Sequence, residues 1–415
     1  LRTRVSCLAT ASLLLLSGCG LGHEVGLTGP STDTSLGQTA PTAAVFGYAV
    51  ADEPQAALAG QQILLNGGNA ADAAAAMGFA LAVTLPSRAS LGGGGACLVR
   101  MPDGHGNLQA PVALLFPAGA PAQAGGDRPA AVPLMARGLF ALAAGYGLLP
   151  PGAVIAPAER LANGAQLSPA LEADLTVVGS ALLADKPAQA IFAPNGALLP
   201  AGATIVQPDL ATTLETLRVQ GIEGFYASTG GQTFAQAAQA AGAEVSAADL
   251  AATSLRVTTP VISSASNITT ASLPVAQSLG TLPASAAFMA VDKNGGVVAC
   301  ATSDNNLFGT GRIAPGTGVL LAASPATAPA PQLAAAIAYR SGDLAFRAAV
   351  TGTGQNEAAT AAQAGLAAAL AGKPAPLLAT GRANVISCPG GVPGGESTCT
   401  ASADPRGQGL AAGGH

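Results

Sequence analysis

Metal and histidine chemistry have little to draw on in this chain. Its 415 residues include three histidines, His23, His105 and His415. None sits with a cysteine or a second histidine at the spacing of a zinc or other transition-metal site. A Ser-His-Asp or Cys-His unit would have to be built on His105, because the other two lie near the chain ends. The run Leu91-Gly92-Gly93-Gly94-Gly95 invites a phosphate-loop reading. Its glycines, however, precede a strand (Ala96 to Met101) instead of joining strand to helix, and no Lys-Ser/Thr follows, which argues against nucleotide binding. The structural alternative is that backbone there comes close to another backbone or to a ligand.

Charge is as sparse as histidine. Lys and Arg number 17 against 22 Asp and Glu, a net charge of −5 with only 9% charged residues, where an ordinary soluble domain carries about 25%. No Lys/Arg run supplies the basic footprint that nucleic-acid binding needs. Gly (54) and Pro (30) make up about a fifth of the chain, short of the roughly 25–30% that marks low-complexity disorder. The mean hydropathy is +0.44, but most of the apolar residues are alanine, which is small and weakly lipophilic.

The amino-terminal residues carry an address. Leu1-Arg2-Thr3-Arg4 is followed by an apolar stretch through Leu13-Leu14-Leu15-Leu16, a secretory signal over residues 1–18 that is too short to span a bilayer. Leu16-Ser17-Gly18-Cys19 resembles the bacterial lipobox, in which the cysteine is lipid-modified, and Gly20 in place of Asp favours the outer membrane. The expected location is the periplasmic side of the envelope, with a lipid anchor at Cys19. Residues 19–44, rich in Gly, Thr, Ser and Pro, read as a flexible tether. Of the remaining cysteines, Cys388 and Cys399 bracket a Gly/Pro-rich loop that a disulfide could close in an oxidising compartment. Cys97 and Cys300 sit in apolar runs and read as buried small hydrophobes.

Beyond the tether, from residue 45, the sequence predicts one layered α+β domain. A strand over Ala44 to Val50 leads to Asp52, which with Gln55 looks like a capping box. The helix it opens stops at Asn66-Gly67-Gly68. Asn69 caps a second, almost wholly apolar helix from Ala70 to about Leu85, with Asp72 in its first turn. Residues 130–255 are helical in flavour and hold no chemical cluster. Two apolar runs, Ala287 to Val291 and Val297 to Ser303, flank a turn containing Asn294-Gly295, a strong hairpin signal. A strand over Asp343 to Val350 and a helix from about Asn356 to Ala371 follow.

Taken in order, these segments resemble the γ-glutamyltransferase family. Asp52-Glu53-Pro54-Gln55-Ala56-Ala57, Leu64-Leu65-Asn66-Gly67-Gly68-Asn69-Ala70-Ala71-Asp72-Ala73-Ala74 and the glycine run track its amino-terminal signature. Phe288-Met289-Ala290-Val291-Asp292, Asn305-Asn306-Leu307-Phe308-Gly309-Thr310-Gly311 and Ala403-Asp404-Pro405-Arg406-Gly407 resemble its carboxy-terminal part. The resemblance implies a four-layer αββα sandwich of the amino-terminal-nucleophile hydrolase type. Such a precursor cuts itself before a hydroxyl residue, which then attacks a γ-glutamyl or related amide with its own freed α-amine as base. This chemistry needs no cofactor and no metal, takes a small peptide or amide as substrate, and leaves a heterodimer of the chain's own two fragments.

Register with the hairpin places the nucleophile at Ser285, with Ala286 and Ala287 where the family has Thr and His. Ser303 falls at a second hydroxyl that hydrogen-bonds the nucleophile, and Asn305 at a substrate contact. Gly352-Thr353-Gly354, followed by Gln355, approximates the turn whose N–H groups form an oxyanion hole. Other family positions are changed. The arginine that clamps the glutamate carboxylate aligns with Pro117. The acidic pair for the α-ammonium falls in Ala322-Ala323-Ser324-Pro325-Ala326-Thr327, and the family's Ser-rich segment is Pro331-Gln332-Leu333-Ala334-Ala335. Losing three charge-assisted contacts of about 1.5–3 kcal/mol each predicts at least about a thousandfold weaker γ-glutamyl recognition. Two functions therefore compete: an acyl transferase or hydrolase working through Ser285, and a catalytically inactive relative acting as a binding or structural lipoprotein.

Overall fold

The computed structural model describes residues 47–123, 125–274, 284–328 and 332–414. The chain divides into a unit over residues 1–31, wholly outside the described residues, and a unit over residues 32–415, to which everything below refers. Cys19 and the expected signal and tether lie outside the described residues.

In chain order, β1 (Tyr48–Ala51) leads into α1 (Pro54–Leu65), α2 (Ala70–Thr84), the single turn α3 (Pro86–Ala89), β2 (Gly94–Arg100) and β3 (Val112–Phe116). The helical middle comprises α4 (Met135–Tyr146), α5 (Pro151–Ala162), α6 (Pro169–Leu182), α7 (Lys186–Phe192), α8 (Pro208–Gln220), α9 (Glu223–Tyr226), α10 (Ser228–Ala240) and α11 (Ala247–Ala252). Two short strands, β4 (Ala165–Gln166) and β5 (Thr204–Ile205), pair within it. Then come β6 (Arg256–Thr258), β7 (Val261–Ala265), β8 (Ile268–Ser272), β9 (Ser285–Val291), β10 (Val297–Ser303) and a small hairpin of β11 (Ile313–Ala314) and β12 (Val319–Leu320). The chain closes with β13 (Ala334–Arg340), β14 (Phe346–Thr353), α12 (Ala358–Leu370), β15 (Arg382–Val392), β16 (Thr400–Ser402) and β17 (Leu410–Gly413).

Two antiparallel sheets stack face to face, one in the order β17-β1-β9-β10-β2-β3-β6 and the other β16-β15-β14-β13-β8-β7. The period-2 alternation of strand side chains divides the core into layers. Ala49, Ala51, Phe288 and Ala290 face the helices, while Tyr48, Val50, Met289 and Val291 face the second sheet. Beyond the second sheet, Ala348 and Val350 pack under α12 with Ala358, Ala362 and Leu366. The order is helices, sheet, sheet, helix, an αββα sandwich.

Alanine decides how closely these layers approach. All fifteen residues of α2 are buried, as befits a helix apolar all round. Its start is fixed by local chemistry: Asn69 Oδ1 accepts from the Ala71 and Asp72 N–H groups, and Asp72 Oδ2 accepts from the Asn69 N–H. Asp292, in the β9–β10 turn, accepts the Ala70 N–H at 3.0 Å and so ties the helix to the hairpin.

Three expectations are corrected. The cap of α1 is Glu53, whose carboxylate accepts the Ala56 N–H at 2.8 Å. Asp52 is occupied instead, by the Ala287 N–H at 2.9 Å and the Asn384 Nδ2 at 2.7 Å. Cys97 and Cys300 are not free thiols: they stand opposite each other in β2 and β10 and form a disulfide with Cα atoms 4.1 Å apart. The strand expected at Asp343 begins at Phe346, because residues 341–345 form the turn out of β13. Cys388 and Cys399 are bridged. Among the described residues, no helix is long and apolar enough to cross a membrane.

Candidate active site

The β9–β10 hairpin brings the two candidate hydroxyl residues together. Its register sets Ser285 directly opposite Ser303, and both are buried. Ser303 Oγ donates to the Ala284 carbonyl at 2.6 Å and accepts the Asn305 N–H at 2.7 Å. That carbonyl belongs to the peptide bond joining Ala284 to Ser285. The bond to Asn305 requires a tight turn after the strand, and Asn305 takes a left-handed φ of 60°, which Asn tolerates better than most residues. Its side chain donates to the Ala323 carbonyl at 2.9 Å.

The glycine run seats this strand end. A Cβ on Gly93 would lie 2.3 Å from Asp304 Oδ1 and 2.4 Å from the Ser303 carbonyl, so only glycine permits the approach. Asp304 accepts the Ser90 N–H and meets Ser90 Oγ at 2.8 Å, while the same Oγ lies 2.7 Å from the Leu320 carbonyl. A serine hydroxyl has one proton, and a carbonyl can only accept. The arrangement is best satisfied when Ser90 donates to Leu320 and a protonated Asp304 donates to Ser90. Burial pushes the Asp304 carboxyl up to about 7 in the same direction, against the Ser90 hydrogen bonds that lower it.

The second sheet supplies the opposite wall. Thr353, the last residue of β14, pairs with Arg382, the first of β15, and the chain then turns through Gly354 (φ 109°) and Gln355 (φ 54°). Ser285, Thr353, Gly354, Gln355 and Arg382 line a cavity of about 260 Å³ together with Arg88, Ala379, Thr380 and Arg406. Gln355 is 8% exposed, and its Nε2 has no partner among the described residues. Gly352 faces the other way: a Cβ there would meet the Ala358 carbonyl at 2.1 Å, so this glycine admits α12. Asn305, Pro117 and the Ala322–Thr327 loop do not line this cavity.

Three arginines at the cavity are the residues that sequence reasoning missed. Arg88 is buried and forked onto Asp174 of α6 at 2.6 and 2.7 Å, with Ser87 Oγ on the same carboxylate at 2.6 Å. The helical middle therefore does contribute to the site, through Asp174. Arg406 is held by Asp404, by the Gly381 carbonyl at 2.7 Å and by the Leu378 carbonyl. Arg382 has no side-chain hydrogen bond or ion pair among the described residues. Its guanidinium is pushed down by burial and then by Arg88, against attraction from Asp52 and Asp404. Asp52 itself is pushed up by burial, opposed by the hydrogen bonds from Asn384 and Ala287. In a chain with only 17 basic residues, an arginine in the apolar stretch before the glycine run was the available signal for Arg88.

A hydroxyl at the head of an inner strand, facing a turn of the second sheet within an αββα sandwich, defines an amino-terminal-nucleophile hydrolase fold. The family model described as Gamma-glutamyltranspeptidase matches residues 56–289, and the chain belongs to that family. It is 35% identical over 241 residues to a glutathione hydrolase proenzyme of Escherichia coli (strain K12), covering 53% of this chain and 41% of that protein. It is 30% identical over 246 residues to an acylase ACY 1 proenzyme of Pseudomonas sp. (strain SE83), covering 53% and 43%. The chain thus spans about two-fifths of the length of these curated relatives. The crystal structure of a cephalosporin acylase from Bacillus halodurans superposes with a TM-score of 0.72 over 92% of this chain and 98% of that one, at 18% identity. That likeness speaks to the fold alone.

Proposed function

We propose that the protein is an amide hydrolase or acyltransferase that cuts itself before Ser285 and uses the new amino terminus as its nucleophile. The observation that carries this reading is the 2.6 Å hydrogen bond from Ser303 Oγ to the Ala284 carbonyl. It polarises the carbonyl that self-cleavage must attack. Ser285 Oγ adds to the Ala284 carbonyl carbon, the C–N bond breaks, and the Ser285 nitrogen gains a proton as an ester forms. Water then hydrolyses the ester, leaving the Ala284 carboxylate and a free α-amine on Ser285.

The mature site repeats the attack on an external amide. The α-amine takes the proton of the Ser285 hydroxyl, the oxygen adds to the substrate carbonyl, and the protonated leaving amine departs. The acyl ester passes to water or to an amine acceptor. In this reading the Thr353–Gln355 turn, which lines the same cavity as Ser285, supplies the donors for the developing oxyanion. No step calls for a cofactor. The two fragments stay together as a heterodimer, and the hydrogen bond aimed at Ala284 favours this reading over an inactive lipoprotein.

The same reading places the chain at the periplasmic side of a bacterial envelope, lipid-anchored at Cys19. The disulfides Cys97–Cys300 and Cys388–Cys399 support an oxidising compartment. Reducing gels test the core of the proposal: wild type gives two fragments and Ser285→Ala gives one, whereas an intact wild-type chain overturns it.

A further inference from the structure

We propose that Asp304 is a positioning residue for self-cleavage: as a neutral acid locked onto Ser90, it holds the turn that aims the Ser303 hydroxyl at the Ala284 carbonyl. The inference rests on the function proposed above and adds a residue, and a pH dependence, to its first step.

The direction of the Ser303 hydroxyl is set by the residues after it. Its oxygen accepts the Asn305 N–H at 2.7 Å, which leaves its single proton for the Ala284 carbonyl at 2.6 Å. That N–H reaches back because the chain turns after Ser303, with Asn305 at a φ of 60°. Asp304 lies at the middle of this turn and is fully buried. Its carbonyl accepts the Ala323 N–H at 3.0 Å, and its carboxyl reaches Ser90, the residue after α3. The backbone of Asp304 thus ties the turn to the loop after β12, and its side chain ties it to the end of α3.

Asp304 does this without a charge. Ser90 Oγ has three polar neighbours: the Gly92 N–H at 3.2 Å, the Leu320 carbonyl at 2.7 Å and Asp304 Oδ1 at 2.8 Å. It accepts from Gly92 and donates its one proton to Leu320, so toward Asp304 it can only accept, and the proton between them belongs to the carboxyl. Asp304 Oδ2 accepts the Ser90 N–H at 3.0 Å and closes a two-point clasp. Among the described residues no cation is there to hold a carboxylate. Ser90, Gly93, Leu320 and Ala323 are neutral, and Arg88 of α3 is committed to Asp174. Burial drives the same carboxyl up to about 7, and only the Ser90 hydrogen bonds oppose it. Ionisation would draw the Ser90 proton from Leu320 to Asp304 and leave a buried charge unpaired, a costly state. It relaxes by moving the turn or admitting water, and either change spoils the aim of Ser303.

The test follows self-cleavage of freshly made full-length precursor on reducing gels between about pH 6 and about pH 9, either side of the Asp304 titration. Circular dichroism checks the fold in each buffer. Asp304→Asn keeps a donor toward Ser90 Oγ and an acceptor for the Ser90 N–H, but cannot ionise. The wild-type rate relative to Asp304→Asn should fall by about tenfold or more by about pH 9, as the protonated fraction falls. Taking the ratio at each pH removes the dependence that both chains share, the attack by Ser285 included. In a Ser303→Ala background the same ratio should stay constant, because no hydroxyl remains to be aimed, whereas a merely structural role would act in both backgrounds alike. A constant ratio in the wild-type background, or an equal fall in both, overturns the proposal while leaving cleavage before Ser285 intact. A wild-type chain uncut at every pH overturns the function on which the proposal rests, and the proposal with it. Should Asp304→Asn not fold, wild type against Ser303→Ala carries the test: the advantage of the hydroxyl, about a hundredfold at the acid end, should shrink toward the alkaline end. An advantage that holds at every pH overturns the proposal.

Discussion

The hydroxyl of Ser303 donates to the carbonyl oxygen of Ala284 across 2.6 Å, from the strand paired with the one that Ser285 begins. A carbonyl so held is more electrophilic, and the residue that follows it carries the hydroxyl that would attack. Preorganised donors of this kind contribute about 10²–10³ in rate when removed one at a time. Ser303→Ala should therefore slow self-cleavage of freshly made precursor by about a hundredfold or more, while Ser303→Thr, which keeps the hydroxyl, should cleave at a near wild-type rate. A time course on reducing gels measures both, and unchanged cleavage in Ser303→Ala would remove this hydroxyl from the mechanism.

Cys97 and Cys300 lie on opposite sides of the Ala284–Ser285 bond in sequence and are bridged. Cleavage should therefore leave one covalent species. Denaturing gels without reductant should show a single full-size band, and with reductant two bands. Cys97→Ser should give two bands in both. The second disulfide, Cys388–Cys399, lies wholly within the carboxy-terminal fragment and cannot replace the link.

Asp304 should make stability fall with rising pH. Its folded-state value of about 7 lies above the ordinary 3.8, so the folded protein holds a proton that the unfolded chain releases. The stabilisation is full below about pH 4 and is lost as pH rises through about 7, of the order of 4 kcal/mol in all. Asp304→Asn keeps a donor for Ser90 without titrating. Denaturant melts at pH 4 and pH 8 should show the mutant gaining on wild type as pH rises. A constant difference between the two proteins would contradict the protonated assignment.

Arg88 and Asp174 form a buried, forked pair with side chains 6% and 3% exposed. Removing one partner strands the other, so Asp174→Ala should cost about 3–5 kcal/mol in unfolding free energy, measured by urea denaturation. A loss below about 1 kcal/mol would show that Arg88 finds water or another acceptor.

What could be read from the residues beforehand follows from how local each signal is. Asn69 and Asp72, three residues apart, cap α2 between them, and Asn294-Gly295 closes a two-strand hairpin, so both are legible locally, whereas the pairing of Ser285 with Ser303 was legible through the family resemblance. The Cys97–Cys300 pairing depends on β2 lying beside β10, a non-local adjacency that neither apolar run announces. Asp52 has the sequence of a cap, yet it is drawn to Ala287 and Asn384 by strand pairing and sheet stacking. Arg88, Arg382 and Arg406 come from α3, β15 and the turn before β17, and only the stacking of the two sheets brings them to one cavity.

The most direct measurement is the intact mass of the purified full-length chain after reduction, with amino-terminal sequencing of any small fragment. The account predicts two species, one of them beginning at Ser285 with a free amine, and a single uncut species for Ser285→Ala. A wild-type chain that stays whole, or a new amino terminus at any other residue, would contradict it.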